Sequence, residues 1–520
     1  MNDLSNLFRK RLYLIANFIV LLTAYYFIFV QSFFPNQNGG LGHDYELWFP
    51  RMLAGVYYFI TNGLTVIPWF TPSCCGSTVL FANPQDLFFS VPQFLNFFFD
   101  PIVSIKLTFM LFATLGLCGT YLLLRQTFAL QEGTAIFGAS LFLFNGFFAY
   151  RMIIGHLGYH SFMLLPLISY FLLQILTTSN RIKELAMSVI AALLYSYVFY
   201  SGGVHLLLPI ALAVLAVFIV AGINHRPLRY PVFRAGVVVI LTLLICAAKL
   251  HVALSTLGNF NLDYYPLPGI DNIFYAIWVP IKSLFFSAYT WVDTNRIFTN
   301  LQWTIQRHEL ELSLSFIPLA LMLWGLANCF RGKLKINKKQ CLFLLSLLII
   351  CLVPLAINFY TPGWNLLLKQ IPIIKNSAVL VRWYAIYIPL VVICAAVVID
   401  KLKFNRYLVP GLILLLLFVK AYEDKTYYAQ QGYNPQLAVY AHQQVMQTHT
   451  VPAIAEISST TSITTAEGIK MHGRDEIMAF GLSQINCHES LFGYRHEEFK
   501  QKELLQVGQS VTQLDRKSTR

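Results

Sequence analysis

Long apolar stretches recur along this 520-residue chain, and they constrain its fold more than any other feature. A run of about 17–25 apolar residues forms a helix long enough to cross the hydrocarbon core of a bilayer. The chain is therefore predicted to be an all-α polytopic membrane protein with about eleven transmembrane helices. The predicted spans are 12–34, 103–124, 134–150, 158–177, 185–201, 204–221, 235–253, 312–328, 341–358, 379–399 and 407–421.

The overall composition excludes a soluble globular protein. Hydrophobic residues make up 57% of the chain and charged residues only 12%. An ordinary soluble domain carries about 25% charged residues. Half of that charge density leaves too little polar surface for a water-exposed fold of this length.

The distribution of positive charge predicts the orientation in the membrane. The predicted cytoplasmic segments hold all of the excess positive charge, which equals the formal net charge of +13. Such a bias marks the inner loops of membrane proteins, so the N-terminus is predicted inside and the C-terminus outside. The charge is thus a topology signal, and nucleic acid is not an expected partner. These segments are 1–12, 125–133, 178–184, 222–234, 329–340 and 400–406.

Two long loops, 35–102 and 254–311, fall outside in this orientation. Apolar residues at near-helical spacing across 45–61 predict a helix lying on the membrane surface. The aromatic-rich stretch 84–99 predicts a second helix of this kind. The outer face is therefore expected to carry amphipathic helices in addition to the transmembrane bundle.

The chain changes character after residue 421. Residues 1–421 are predicted to form the transmembrane domain, and the polar residues 422–520 an extracytoplasmic tail. Alternating apolar and polar residues around Val451–Ile457 and Thr460–Thr465 predict short strands. The tail is therefore expected to be a small α+β unit.

Acidic residues follow the first predicted span in the stretch Gly42-His43-Asp44-Tyr45-Glu46. A carboxylate at the edge of the bilayer is placed to act as a general base on an acceptor hydroxyl. Asp44 and Glu46 are alternatively ligands of a divalent cation, Mg²⁺ or Mn²⁺, bound to a phosphate. The competing interpretation is a solvated loop in which acids have no special function.

Basic residues and histidines lie at the outer ends of several predicted helices. Arg151, His156 and His160 are candidate hydrogen-bond donors to a polar substrate, and the two histidines would share one face of a regular helix. Lys249 lies within a predicted span, where an ionisable side chain indicates function by default. Snorkelling to the headgroups is the alternative for Lys249, and an interfacial location without function is the alternative for the histidines.

Two further candidates enter late in the chain. Arg382 begins the tenth predicted span, and its guanidinium fork suits a phosphate or pyrophosphate. Glu309, in Arg307-His308-Glu309-Leu310-Glu311, is a candidate second acid or a partner for a cavity arginine. Stacking on Trp383 or anchoring to headgroups is the alternative for Arg382.

This pattern resembles the GT-C class of polytopic membrane glycosyltransferases, and within it the bacterial membrane proteins implicated in glycosylating the cell envelope. Most of the chain takes part in the resemblance. The matching pieces are Gly42-His43-Asp44, Asn83-Pro84, Gly155-His156, His308-Glu309, Val381-Arg382-Trp383 and Asn486-Cys487-His488-Glu489-Ser490-Leu491-Phe492-Gly493-Tyr494.

The resemblance implies transfer of a sugar from a polyprenyl-phosphate donor to an envelope glycan or protein acceptor, on the outer face of the bacterial cytoplasmic membrane. It implies that Asp44 is the catalytic base and that Glu46 is the second acid of a D-x-E motif. His43 would join the substrate-binding residues, and Lys249 and Arg382 would neutralise the donor phosphate. Two alternatives stay open: a transporter or lipid flippase, and a non-catalytic membrane protein of envelope assembly.

Overall fold

The computed structural model describes residues 2–73, 78–223, 231–257, 267–286, 289–301, 305–331, 338–371, 374, 377, 379–401, 407–459, 462–464, 470–472 and 475–484. Helices dominate this part of the chain. In chain order they are α1 Asn2–Tyr25, α2 Tyr45–Asn62, α3 Val91–Leu95, α4 Pro101–Leu122, α5 Glu132–Leu143, α6 Gly146–Ile154, α7 Leu165–Thr177, α8 Arg181–Tyr200, α9 Leu207–Ile223, α10 Pro231–Leu257, α11 Ile273–Phe285, α12 Trp291–Ile297, α13 Arg307–Leu310, α14 Ile317–Phe330, α15 Lys338–Asn358, α16 Pro362–Leu368, α17 Tyr387–Lys401, α18 Leu408–Tyr422, α19 Thr426–Ala429 and α20 Gln436–Thr448. Short 3₁₀ segments at Leu157–Leu164 and Leu380–Ile386 precede α7 and α17.

Eight helical segments within the described residues are long and apolar enough to cross a membrane, which makes the chain a multi-pass membrane protein. Several of them combine an α-helix with the 3₁₀ or π turn beside it. They are Arg11–Val30, Pro101–Thr127, Glu132–Ile154, Leu157–Leu176, Arg181–Tyr200, Val204–Ile223, Phe233–Ser255 and Leu380–Lys401.

These eight segments coincide with the first seven predicted spans and with the tenth. The eighth, ninth and eleventh predicted spans fall on α14 Ile317–Phe330, α15 Lys338–Asn358 and α18 Leu408–Tyr422, which are not among these eight segments. The total of eleven and the inside–outside orientation therefore stay predictions.

The third span consists of two helices joined end to end. The side-chain oxygen of Asn145 accepts a hydrogen bond from the backbone N–H of Phe148 (2.9 Å), which caps the start of α6. Gly155 ends α6 with a positive φ of 110°. α6 is buried along its whole length, so the turn after it has a fixed position within the protein.

The helix α2 confirms the helical prediction for 45–61, but its surroundings differ from a free membrane-surface location. Its residues Leu53, Val56 and Tyr57 pack in one apolar cluster with Ala441 and Val445 of α20. The tail therefore covers the apolar face that was expected to lie on lipid. In the second predicted surface element, 84–99, the described helix is only the five-residue α3, capped by the side chain of Ser90.

Within the described residues, six short strands form three pairs. β1 Phe70–Thr71 and β2 Thr78–Val79 are antiparallel, with Phe70 opposite Val79. In the tail, β3 Glu456–Ser458 pairs in parallel with β6 Leu482–Gln484, and β4 Ser462–Thr464 pairs antiparallel with β5 Lys470–His472. β3 overlaps the first predicted strand region at Glu456 and Ile457, and β4 lies within the second. The tail motif Asn486–Tyr494 lies outside the described residues.

Candidate active site

Asp44 lies where the first outer loop packs against the end of α6. Its backbone N–H donates to the carbonyl oxygen of Ile154 (3.0 Å). The approach is so close that a Cβ on Gly42 would lie 2.3 Å from that same carbonyl oxygen. A Cβ on Gly155 would collide with the backbone of Asp44 in the same way. Two glycines thus allow the contact that brings Asp44 beside His156.

The carboxylate of Asp44 is paired with two imidazoles. One oxygen lies 2.6 Å from Nε2 of His156, and the other lies 3.5 Å from Nε2 of His43. Burial would raise the pKa of Asp44, but the charge of His156 and its hydrogen bond outweigh burial and lower the pKa well below its ordinary range. Asp44 is therefore ionised at neutral pH.

A second histidine and an acid complete a group that suits a divalent cation. One donor atom each from His156, His308 and Glu309 lie within 4.8 Å of one another. The rings of His156 and His308 are 4.8 Å apart at an angle of 87°. Among the described residues, the buried Nδ1 of His156 has no hydrogen-bond partner. Two imidazoles and a carboxylate form a donor set that fits Zn²⁺ or Mn²⁺ better than Mg²⁺.

The structure separates His156 from His160, which the sequence suggested as a pair. His156 lies against Asp44. His160 lies within the 3₁₀ segment, and its Nε2 lies 2.7 Å from the hydroxyl of Tyr197. The second acid of the motif, Glu46, acts on Tyr433, where burial raises the pKa of the phenol and the charges of Glu476 and Glu46 raise it further.

Two arginines share the carboxylate of Glu309. Nη2 of Arg151 donates to it at 2.9 Å, and Nε of Arg382 donates at 2.9 Å. Burial would raise the pKa of Glu309, but the charges of Arg382 and Arg151 and the hydrogen bonds from Arg382 lower it well below its ordinary range. The group thus holds two positive charges against one negative charge in a buried location.

The remaining donors of Arg151 face aromatic rings. The side chain is fully buried, and its guanidinium carbon lies 4.1 Å from the centre of the Phe147 ring and 5.0 Å from that of Tyr159. Nε and Nη1 of Arg151 and the hydroxyl of Tyr159 are buried, and the hydroxyl interacts with the guanidinium of Arg151. A buried guanidinium with donors directed at rings and a phenol can still bind an anion.

Lys249 belongs to another group of residues. Its ammonium lies 5.5 Å from the ring centre of Phe199 and 5.6 Å from that of Tyr200, and its charge interacts with Asp86. The structure thus places Lys249 beside α8 and the first outer loop, and places Arg382 beside Glu309. The sequence expectation that both cations hold one phosphate gains no support from these contacts.

The sequence analysis missed the segment that follows α18, residues 423–433, which we name the C-terminal strap. Oε1 of Gln431 lies 2.7 Å from Nδ1 of His43, and the hydroxyl of Tyr427 lies 3.4 Å from Nδ1 of His308. Backbone hydrogen bonds also join Tyr433 to the first outer loop. No local pattern marks these residues, because their partners lie far away in sequence.

A charged network holds the strap in place. Arg307 donates to the carboxylates of Asp424 (2.7 Å) and Glu311 (2.8 Å). The ring of Tyr428 stacks on that of Tyr150 with centres 4.3 Å apart, and its hydroxyl donates to Glu311. Burial opposes ionisation of Asp424, but hydrogen bonds from Thr426 and Arg307 lower its pKa to about 2. The strap is therefore fixed against α6 and α13.

No family model and no curated protein matches the chain. Solved structures similar to it are of the oligosaccharyltransferase of Archaeoglobus fulgidus, a protein of the GT-C class that the sequence resembles. The structure with zinc and sulfate is 13% identical with a TM-score of 0.43, and the match covers 90% of this chain and 62% of that one. The apo form is also 13% identical with a TM-score of 0.43, and the match covers 91% of this chain and 64% of that one.

A third structure of the archaeal oligosaccharyltransferase contains an inhibitory peptide and a dolichol-phosphate. It is 13% identical with a TM-score of 0.42, and the match covers 86% of this chain and 62% of that one. The chain thus spans less than two thirds of the length of these neighbours. At this similarity the neighbours assign neither an activity nor a ligand to the chain.

Proposed function

We propose that the protein transfers a sugar from a polyprenyl-phosphate donor to an envelope acceptor, on the outer face of the cytoplasmic membrane. The observation that carries the proposal is that the buried Arg151 and the partly buried Arg382 share one carboxylate, close to the ionised Asp44. The pair supplies a site for an anion, and Asp44 supplies a base. Both lie in a membrane protein, where a lipid-linked donor has access from the bilayer.

The donor phosphate would occupy the space next to Arg151. Its buried Nε and Nη1 and the hydroxyl of Tyr159, which interacts with Arg151, provide the hydrogen-bond donors. Arg382 adds a second guanidinium 5.5 Å from the centre of the Tyr159 ring. Charge-assisted hydrogen bonds from arginine to phosphate are among the strongest in proteins, because both partners are charged and the guanidinium can bind two oxygens at once.

A divalent cation would be held by His156, His308 and Glu309, with Asp44 bonded to the imidazole of His156. Bound there, the cation would stabilise negative charge that develops on the departing phosphate. This donor set replaces the pair Asp44 and Glu46 that the sequence suggested as ligands. It also favours Mn²⁺ or Zn²⁺ over Mg²⁺, because two of the three donors are imidazoles.

The reaction proposed for Asp44 is a direct displacement at the anomeric carbon. The acceptor hydroxyl gives its proton to Asp44, its oxygen bonds to the anomeric carbon, and the bond to the phosphate oxygen breaks. The polyprenyl phosphate leaves with the electron pair, and the configuration at the anomeric carbon is inverted. Because the pKa of Asp44 is low, proton transfer is expected late, when the new bond has largely formed.

Binding of a polyprenyl phosphate to the purified chain tests the phosphate site. The lipid is expected to raise the melting temperature in nanodiscs, whereas the matching polyprenyl alcohol is not. Arg382→Gln should weaken binding by about tenfold to hundredfold, the usual value of hydrogen bonds to a charged group. Arg382→Lys should recover only part of the lost binding, because lysine keeps the charge but lacks the two-pronged guanidinium of arginine.

The matched control is Lys183→Gln, which removes an exposed cation at the predicted inner face and should leave binding unchanged. Equal binding of phosphate and alcohol would contradict the proposal.

A proteoliposome assay with labelled donor then separates the rival functions. Donor that crosses the bilayer without transfer indicates a flippase, and bound donor that is neither moved nor consumed indicates a non-catalytic role in envelope assembly.

The strap contact to His43 gives a separate prediction. Gln431→Ala should lower the rate of sugar transfer by about tenfold and destabilise the fold by about 1–2 kcal/mol, because two partly buried hydrogen bonds are lost, to His43 and to the carbonyl oxygen of Tyr427. Gln430→Ala is the matched control, since Gln430 is the exposed neighbour on the same segment. Initial rates and melting temperatures of the two variants are compared. Equal transfer rates of the two variants would show that the contact between the strap and His43 does not affect the reaction.

A further inference from the structure

The loop that follows α2, residues 63–70, exposes a run of large apolar side chains. Leu64, Trp69 and Phe70 are 65%, 51% and 58% exposed, and Val66 and Ile67 between them are exposed as well. Soluble surfaces rarely carry a contiguous apolar patch of this kind, and such patches mark binding surfaces. The loop lies outside the eight long apolar helical segments.

The sequence around this loop contains no charge. Between Arg51 and Asp86 there is no Asp, Glu, Lys, Arg or His. The exposed side of α20 in the tail is different, because its exposed residues Gln443, Gln444 and Gln447 are all polar. α20 thus presents a surface suited to water, whereas the loop after α2 presents one suited to an apolar medium.

The backbone of the loop has hydrogen-bond partners of its own. The carbonyl oxygen of Ile67 accepts from the hydroxyl of Tyr58 (2.8 Å). The next two carbonyls, of Pro68 and Trp69, accept from backbone N–H groups at 2.8 and 3.0 Å. A segment can leave water only when its polar backbone groups are satisfied internally. These hydrogen bonds remove much of the free-energy cost of moving the loop backbone out of water.

A chain of aromatic contacts joins the loop to the end of a membrane-spanning helix. The ring of Trp69 lies 5.7 Å from that of Phe81, which lies 6.0 Å from that of Phe89. Phe89 in turn lies 5.9 Å from Tyr200, the last residue of α8. Phe98, which is 78% exposed, lies just before the start of α4. The loop therefore continues the apolar surface that surrounds the helix ends.

We propose that residues 63–70 insert into the headgroup region of the bilayer and anchor the first outer loop to the leaflet on the side of the candidate site. The occupant of this apolar surface is lipid. Trp69 and Phe70 act as interfacial aromatics, and Leu64 and Ile67 enter the acyl boundary. The membrane contact first expected for 45–61 is thus made by the loop that follows it, because the tail covers α2.

A fluorescent label tests the proposal in the full-length protein. Trp69→Cys is made in a chain whose nine cysteines are replaced, labelled with an NBD dye, and placed in nanodiscs of phosphatidylethanolamine and phosphatidylglycerol. A lipid that carries a nitroxide near the headgroup should quench the label, and its emission should be blue-shifted. Gln444→Cys is the matched control in the same background, and its label should behave as in water.

Two results would overturn the proposal. A label at position 69 that is as water-exposed as the control shows that the loop lies outside the bilayer. A label that is shielded from water but not quenched by the nitroxide lipid shows contact with protein, such as a second copy of the chain.

If the cysteine-free chain does not fold, native tryptophan fluorescence replaces the label. The difference in emission between the unmodified chain and Trp69→Phe should be quenched by lipids brominated near the headgroup. A difference spectrum insensitive to these lipids contradicts the proposal.

Discussion

Changing Asp44 to Asn should lower sugar transfer by about 10²–10⁴-fold, which is the usual contribution of a general base. The amide cannot accept the proton of the acceptor hydroxyl, and it cannot hold a charged His156. The change keeps the size of the side chain, and the group is only half-buried, so the fold should persist. Initial rates in proteoliposomes with a labelled polyprenyl-phosphate sugar measure the loss, and the melting temperature checks the fold.

The comparison variant is Glu46→Gln, the second acid of the D-x-E motif. Its charge acts on Tyr433, whereas Asp44 is the carboxylate 2.6 Å from His156, so the loss of transfer should be much smaller than for Asp44→Asn. Equal losses would show that the two acids act together, as the family resemblance implies. Full activity of Asp44→Asn would show that Asp44 is not the catalytic base.

Adding Mn²⁺ to the same assay separates two roles of Asp44. If Asp44 acts by orienting His156 as a cation ligand, excess Mn²⁺ should restore part of the rate of Asp44→Asn, because weaker binding is overcome by concentration. A lost base is not restored in this way. The rate of the unmodified protein at the same Mn²⁺ concentrations is the reference.

The membrane helices were predictable because hydropathy is a local property of the sequence. The first seven predicted spans and the tenth coincide with long apolar helical segments. The other three predicted spans fall on α14, α15 and α18, which are not among these eight segments. The third segment is interrupted between α5 and α6. Hydropathy registers an apolar run, but it does not register where the backbone leaves the helix.

The candidate site was predictable only in part. Asp44, His156, Glu309 and Arg382 come together as charged or polar residues at helix ends. The direction of each side chain depends on turns that sequence spacing does not give. Gly155 takes a positive φ and ends α6, so the histidines that follow do not share a regular helical face.

The strap shows the other limit of a sequence pattern. Gln431 and Tyr427 come close to His43 and His308, yet they belong to a tail that follows the last apolar helix. Their polarity is ordinary for a water-exposed segment, and no periodicity distinguishes them. Such contacts between distant parts of the chain become visible only when the fold is known.

Changing Glu309 to Gln should destabilise the protein by about 3–5 kcal/mol, the usual cost of removing one partner of a buried ion pair. Arg151 is fully buried and its only ionic partner within the described residues is Glu309. Without that carboxylate, two guanidinium charges face each other in a buried group. Thermal unfolding in nanodiscs measures the loss, with Glu456→Gln, an exposed site in the tail, as the matched control.

The same variant tests whether the arginine pair is an anion site. Glu309 competes with a bound phosphate for the donors of Arg151 and Arg382, so its removal should raise their affinity for an anion. A polyprenyl phosphate should therefore raise the melting temperature of Glu309→Gln more than that of the unmodified protein, since stabilisation by a ligand increases with the logarithm of its affinity for the folded state. The polyprenyl alcohol should affect both proteins equally. If phosphate and alcohol give the same shifts, the arginines serve only to neutralise Glu309, and the donor phosphate binds elsewhere.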